Sequence, residues 1–145
     1  PLHNPQELPQ LRKSCEVNLA LDETLWKDPE LARSIQNNIH ACILKPGILG
    51  GWQETLKWIK SAKSTGILPV LSSSFESGIG HLWIALLASS YVLKAPAVGL
   101  DTAFWFDKDL LKPSFTSRIQ NGRLILPQKW PEFFELNMNV LQTPS

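Results

Sequence analysis

Four short apolar runs, each ending on a polar residue, organise the first two thirds of the chain. Val17–Leu21 stops at Asp22, Ala41–Leu44 at Lys45, Leu68–Leu71 at Ser72, and Ala97–Leu100 at Asp101. Their length and composition predict buried strands. The segments between them predict helices. Asp28 as N-cap with Pro29 at the first helical position starts one that runs to about Asn38, with Leu31 and Ile35 on its buried side. Pro46 lacks an N–H and ends the second strand. Gly47, Gly50 and Gly51 then make a flexible loop before a helix over 52–64, where Leu56, Ile59, Ala62 and Lys63 set the amphipathic spacing and Gly66 caps the end. The third helix, Ile79–Tyr91, is almost wholly apolar, which predicts cover on more than one side.

The strand exits at 22, 45, 72 and 101 lie 23, 27 and 29 residues apart, one strand–helix unit per interval. Each gap holds a helix long enough for a right-handed parallel crossover. A regular βα series with polar residues at successive strand ends predicts an α/β fold, half of a TIM-like (β/α) barrel whose sites collect on that face. A doubly wound open sheet is the competing fold, but no G-x-G-x-x-G or G-x-x-x-x-G-K-[ST] follows any strand. Four units make only half a barrel, with two open parallel edges.

The ends differ. Gln6–Ser14 predicts one short helix. Ser117–Ile119 and Arg123–Leu126 flank Gln120-Asn121-Gly122 and predict a β-hairpin. The tail from Pro127 carries Trp130, Phe133 and Phe134, which need a surface to pack on. The chain thus divides into a partial barrel over 1–111 and a hairpin with tail over 112–145.

Composition narrows the class. The 145 residues are 43% hydrophobic and 19% charged, globular values in a chain able to bury one core. A net charge of +1 gives no reason to expect nucleic acid or an anionic membrane as partner. No apolar run approaches the ~20 residues that span a bilayer. Cys15 and Cys42 are too few for a disulfide framework and too far apart for a C-x-x-C motif, which leaves buried free thiols.

Candidate chemistry gathers at the strand exits. The stretch Leu68–Gly80 runs from a strand through Ser72, Ser73 and Ser74 into a helix with Glu76 in its first turn. Free backbone N–H groups, the positive end of a helix dipole and serine hydroxyls there would hold an anion, although a polar turn reads the same way. Asp22 could serve as a metal ligand, a general base or a cap. Lys45 cannot snorkel far and would place its ammonium among the other strand-end groups. Gly99 allows a ligand close to the backbone and its N–H. His3, His40 and His81 share no register, which argues against a histidine metal cage. Most of the six tryptophans suit packing roles, but Trp52 stands where it could wall a pocket.

Four motifs, LALDET at 19–24, ILKPGILGG at 43–51, SSSFESGIG at 72–80 and GLDTAFWF at 99–106, resemble in order and spacing the o-succinylbenzoate synthase family of the enolase superfamily. SSSFES followed by GLDT is the specific part. Pro1-Leu2 is similar to the end of the family's E-E-P segment.

The resemblance implies strands five to eight of the barrel, its C-terminal half. It implies that Asp22 is the third carboxylate ligand of an essential Mg²⁺ (Mn²⁺ being the alternative ion) and that Lys45 faces the substrate opposite a proton-abstracting lysine. It places Ser72, with Ser73 and Ser74, at a turn that binds substrate carboxylate, and sets the Gly99 backbone against the succinyl end. The implied activity is dehydration of 2-succinyl-6-hydroxy-2,4-cyclohexadiene-1-carboxylate to o-succinylbenzoate, a step of menaquinone or phylloquinone synthesis in the cytoplasm or plastid stroma. N-acylamino acid racemases and dipeptide epimerases share the two-lysine barrel and are the rival; a non-catalytic binding or structural module is a third reading. The hairpin and tail would return toward a capping domain, giving Trp130 and Phe133 their surface. The base lysine and two earlier metal ligands have no counterpart among these residues. The expected partners are therefore a small dicarboxylate substrate, the remainder of the barrel and the capping domain, with the chain inactive and poorly folded alone.

Overall fold

A computed structural model describes residues 4–91, 97–126 and 135–141. The helix expected over 6–14 is a 3-10 turn, Pro5–Glu7, continued by α1, Leu8–Ser14; Asn4 caps the turn by accepting from the Gln6 N–H at 3.1 Å. β1 is only Ala20–Leu21, shorter than the run from Val17. The reason lies in His40, whose Nδ1 accepts from the Leu19 N–H at 2.9 Å where a strand partner would stand. After α2, Thr24–Lys27, α3 spans Pro29–Ile35 with Asp28 Oδ1 accepting from the Leu31 N–H at 3.0 Å, and a 3-10 turn finishes it to Asn38. β2, Ala41–Leu44, and β3, Leu68–Leu71, flank α4, Gly51–Ser64. Gly50, at φ 94°, lets the loop turn sharply into α4, a conformation that disfavours a Cβ. The buried face of α4 is Thr55, Trp58, Ile59 and Ala62, while Lys63 points to solvent. α5 spans Gly78–Tyr91.

The strands pair in the order β1-β2-β3, all parallel, with Ala20 opposite Ala41 and Leu44 opposite Leu71. The expected fourth strand, Ala97–Leu100, reduces to a single parallel bridge between Ser72 and Gly99. Leu100 leaves the extended region (φ −115°, ψ 17°) and starts the 3-10 turn Asp101–Trp105, so the ladder has no room to continue.

Burial alternates along every strand, and the two faces of the sheet differ. Leu21, Cys42, Leu44 and Leu71 point to the helices and form one core with Leu25, Ala32, Ile35, Trp58, Ile59, Ala62, Ile84 and Leu87. Ala20, Ile43, Val70 and Leu68 take the other positions, where no helix among the described residues covers them, and Leu68 is 42% exposed. A helix-free face on a parallel sheet is the inner wall of a barrel rather than an open doubly wound sheet, which needs helices on both sides. The apolar α5 is covered twice. Its Ile84 and Leu87 join the first core, while Leu82 joins a second one with Ala103, Leu111 and Phe115.

The hairpin packs on that second core. β4, Ile119–Gln120, pairs antiparallel with β5, Arg123–Leu124, through Asn121 (φ 51°) and Gly122 (φ 72°), the two positive φ values a tight hairpin turn requires. Its strands are shorter than expected because Thr116–Arg118 is a 3-10 turn. Ile119, Leu124 and Leu126 lie against Leu82 and Phe115. Trp130, Phe133 and Phe134 fall outside the described residues. A last helix, α6, is Met138–Leu141. Among the described residues no helix is long and apolar enough to cross a membrane.

Cys42 is 2% exposed, and burial pushes its thiol up to about 12 by penalising the thiolate. Cys15 is partly exposed. Iodoacetamide at pH 8 should therefore alkylate Cys15 and leave Cys42 untouched until the protein unfolds, because only the thiolate reacts. Equal labelling of both in the native protein, read by mass spectrometry, would contradict the buried position of β2.

Candidate active site

The strand register lines up the exits. With Leu44 opposite Leu71 and Ser72 opposite Gly99, the residues Lys45, Ser72 and Gly99 stand in one row across the sheet. Lys45 and Ser72 follow buried Leu44 and Leu71, so alternation turns both toward the helix-free face. Asp22 follows buried Leu21 in the same way. Three of the sequence-identified residues therefore share one face, with Gly99 beside them.

Lys45 reaches back across the sheet to Asp22. Its Nζ lies 2.8 Å from Asp22 Oδ2, with the two side chains 21% and 32% exposed. The other oxygen, Asp22 Oδ1, is buried and has no hydrogen-bond partner among the described residues. A buried, unpaired carboxylate oxygen is costly and suits a further cationic partner. No three His, Cys, Asp or Glu side chains among the described residues come together as a metal site. Asp22 thus fits one ligand position of a divalent-ion site, and a single carboxylate does not hold Mg²⁺ against its waters.

At the three serines themselves the backbone N–H groups are not free, so a cradle there cannot rest on them. Ser72 N–H donates to Leu44 O at 2.9 Å and Ser73 N–H to Gly99 O at 2.7 Å. Ser74 N–H donates to Glu76 Oε2 at 2.6 Å, and the Gly99 N–H donates to Leu71 O at 3.0 Å. The parallel bridge and the chain's own carboxylate have taken these donors. Glu76 also precedes α5 by two residues instead of sitting in its first turn. Its other oxygen is buried without a partner among the described residues, close enough to Gly47 that a Cβ there would stand 2.6 Å from it. Hydroxyls remain. Ser72 Oγ, on the row, donates to Gly99 O at 3.2 Å; Ser74 Oγ is buried with no partner among the described residues. A Cβ on Gly99 would meet Ser72 Oγ at 2.8 Å, so a side chain there would displace that hydroxyl.

Ser73 points away from this row. It is 4% exposed, and its Oγ lies 2.7 Å from Thr102 Oγ1 and 3.0 Å from Gly99 O. Thr102 in turn meets the fully buried His81, and neither had been singled out as functional. Their signal is faint in the sequence: a histidine in an otherwise apolar helix, and a threonine one step past a strand exit. Trp52 does wall a cavity, of about 440 Å³, between α4 and α5 with Trp83, Ile84 and Leu87, and Pro46, Gly47 and Glu76 also line it, whereas Lys45, Ser72 and Gly99 do not.

No family model matches the chain. Among curated proteins it is 32% identical over 117 residues to an o-succinylbenzoate synthase from Pasteurella multocida (strain Pm70), covering 78% of this chain and 34% of that protein. Among solved structures it superimposes on an enolase superfamily member from Listeria innocua at a TM-score of 0.76 and 26% identity, over 95% of this chain and 37% of that one. It also superimposes on MenC from Desulfotalea psychrophila at a TM-score of 0.63 and 29% identity, over 74% and 31% of the two chains. The chain spans about a third of the length of the curated relatives it matches. A parallel βα series with one bare face and its polar strand ends on that face has the same explanation as these matches: the chain forms part of an enolase superfamily barrel and is similar to the o-succinylbenzoate synthases of that superfamily.

Proposed function

We propose that this chain is the C-terminal barrel half of a dehydratase that converts 2-succinyl-6-hydroxy-2,4-cyclohexadiene-1-carboxylate to o-succinylbenzoate in menaquinone or phylloquinone synthesis. The observation that carries the reading is the row Lys45–Ser72–Gly99 with Asp22 beside it on the helix-free face. Removing a proton alpha to a carboxylate gathers negative charge on a small group. The Lys45 ammonium, held at the strand exit, stabilises that charge and takes no proton itself. Mg²⁺, or Mn²⁺, held by Asp22 together with carboxylates outside this chain would supply the rest of the neutralisation. Ser72 Oγ binds and orients the substrate carboxylate, and Gly99 leaves room for the succinyl end. Loss of the hydroxyl aromatises the ring, so the site has mainly to place the substrate and balance its charge.

The remainder of the barrel closes over the helix-free face, and the capping domain over the exposed aromatics Phe75 and Trp105, whose rings meet edge-to-face at 5.9 Å. Expressed alone, the chain should show no cooperative melt, because that face and its strand edges stay open. A sharp thermal transition in the isolated 145 residues would contradict this. The cytoplasm, or the plastid stroma of a photosynthetic source, follows from the same reading.

The function is tested on the full-length protein with the cyclohexadiene substrate and Mg²⁺, following ultraviolet absorbance of the aromatic product. Product formation is expected. No product, with α-proton exchange of N-acylamino acids or dipeptides in deuterated water, would replace the reading with a racemase or epimerase; neither activity would leave a binding module.

A further inference from the structure

Three segments meet behind the row: the exit of β3, the turn at 99–102 and the first turns of α5. The backbone bridge between Ser72 and Gly99 joins the first two, and side chains tie α5 to them. His81 is 0% exposed; its Nδ1 lies 3.0 Å from Ser77 O and its Nε2 3.1 Å from Thr102 Oγ1. Thr102 Oγ1 lies 2.7 Å from Ser73 Oγ, and Phe115, also 0% exposed, closes the ring in from the side with centroids 5.1 Å apart.

For a ring that carries one proton, the donors follow in order from the carbonyl at its Nδ1 side. A carbonyl oxygen only accepts, so His81 Nδ1 donates to Ser77 O. A ring with a single proton then accepts at Nε2, from the Thr102 hydroxyl. Thr102 Oγ1, having given its proton, accepts from Ser73. The one hydroxyl proton of Ser73 is thereby directed inward to Thr102 at 2.7 Å instead of to Gly99 O at 3.0 Å. Gly99 O keeps the Ser73 N–H at 2.7 Å and the Ser72 hydroxyl at 3.2 Å. When a carboxylate reaches the row, Ser72 can turn its proton to it and Gly99 O is still satisfied.

We propose that His81 and Thr102 are positioning residues for the substrate wall: through Ser73 they hold the Gly99 backbone against β3 and leave Ser72 as the hydroxyl that answers the substrate. The inference rests on the dehydratase reading for its kinetic consequence, but the hydrogen-bond chain has a readout of its own.

Two measurements on the full-length protein test it. Nitrogen-15 spectra of the histidine rings should show His81 carrying its proton on Nδ1 in the wild type. Thr102→Val keeps the shape and removes the hydroxyl, which leaves a buried acceptor unmatched; KM should rise by about tenfold with kcat within about threefold. Thr102→Ser, which retains the hydroxyl, should return KM to within about twofold of wild type. An unchanged KM in Thr102→Val, or a serine variant as impaired as the valine one, overturns the proposal. A proton on Nε2 of His81 does so too, without need of any variant that folds. A wild-type protein that makes no product overturns the dehydratase reading instead, while the ring signal still decides the hydrogen-bond chain.

Discussion

Replacing Lys45 with methionine should lower kcat by about 10³-fold or more, because its ammonium is, among the described residues, the cation on the row and charge stabilisation is commonly the largest catalytic term. Methionine keeps the length and apolar stem of the side chain, and the position is half-buried, so the fold should survive. Lys45→Arg should not rescue. A planar guanidinium prefers a bidentate carboxylate, and Asp22, 2.8 Å from the native ammonium, would hold it. Retention of more than a tenth of wild-type kcat in Lys45→Met, with an unchanged circular dichroism spectrum, would remove Lys45 from the chemistry. The loss separates two roles. A lysine that only neutralised Asp22 would change metal affinity and leave saturated turnover near wild type.

The second large effect concerns stability, and its sign is opposite to the usual one. Glycine to alanine inside a helix ordinarily gains about 1 kcal/mol. At Gly78, the first residue of α5, a Cβ would stand 2.1 and 2.3 Å from the two carboxylate oxygens of Asp109. Asp109 cannot simply swing away. Its oxygens accept from the Leu111 N–H at 3.1 Å and the Phe115 N–H at 2.6 Å, and Phe115 is fully buried. Freeing the space strands those donors at about 1–3 kcal/mol each, which outweighs the helix gain. Gly78→Ala should therefore destabilise the full-length protein by roughly 2–4 kcal/mol and lower its Tm by about 3–6 °C. Pairing it with Asp109→Ala should give a double variant no worse than Asp109→Ala alone. A Tm that is unchanged or raised in the single variant would mean that α5 and the 109–115 loop do not pack as described.

What the sequence showed well was local. Pro46 ends β2 and Asp28-Pro29 starts α3 for reasons contained within a few residues, and the structure keeps both. The uniformly apolar Ile79–Tyr91 stretch called for cover on two sides, and α5 has it. The Asn121-Gly122 turn formed as its positive φ values demand. What stayed hidden depends on register and on approach between distant segments. The exits at 22, 45, 72 and 101 suggested a simple series, but the row that pairs across the sheet is 45, 72 and 99, with Lys45 reaching back to Asp22. Ser72, Ser73 and Ser74 look alike in sequence. Only the pleat separates Ser72 on the open face from Ser73 in the core. The N–H groups of Ser72, Ser73 and Ser74 are spent on Leu44, Gly99 and Glu76, which no local pattern announces.

Whether the row is where the chemistry occurs is answered most directly by a crystal structure of the full-length protein with o-succinylbenzoate bound. The expected result is the product on the helix-free face of β1–β3, its carboxylate within hydrogen-bond reach of Ser72 Oγ, the Lys45 ammonium against the ring and the succinyl chain along Gly99. Product seated in the apolar cavity between α4 and α5, or bound away from the strand exits, would contradict the account.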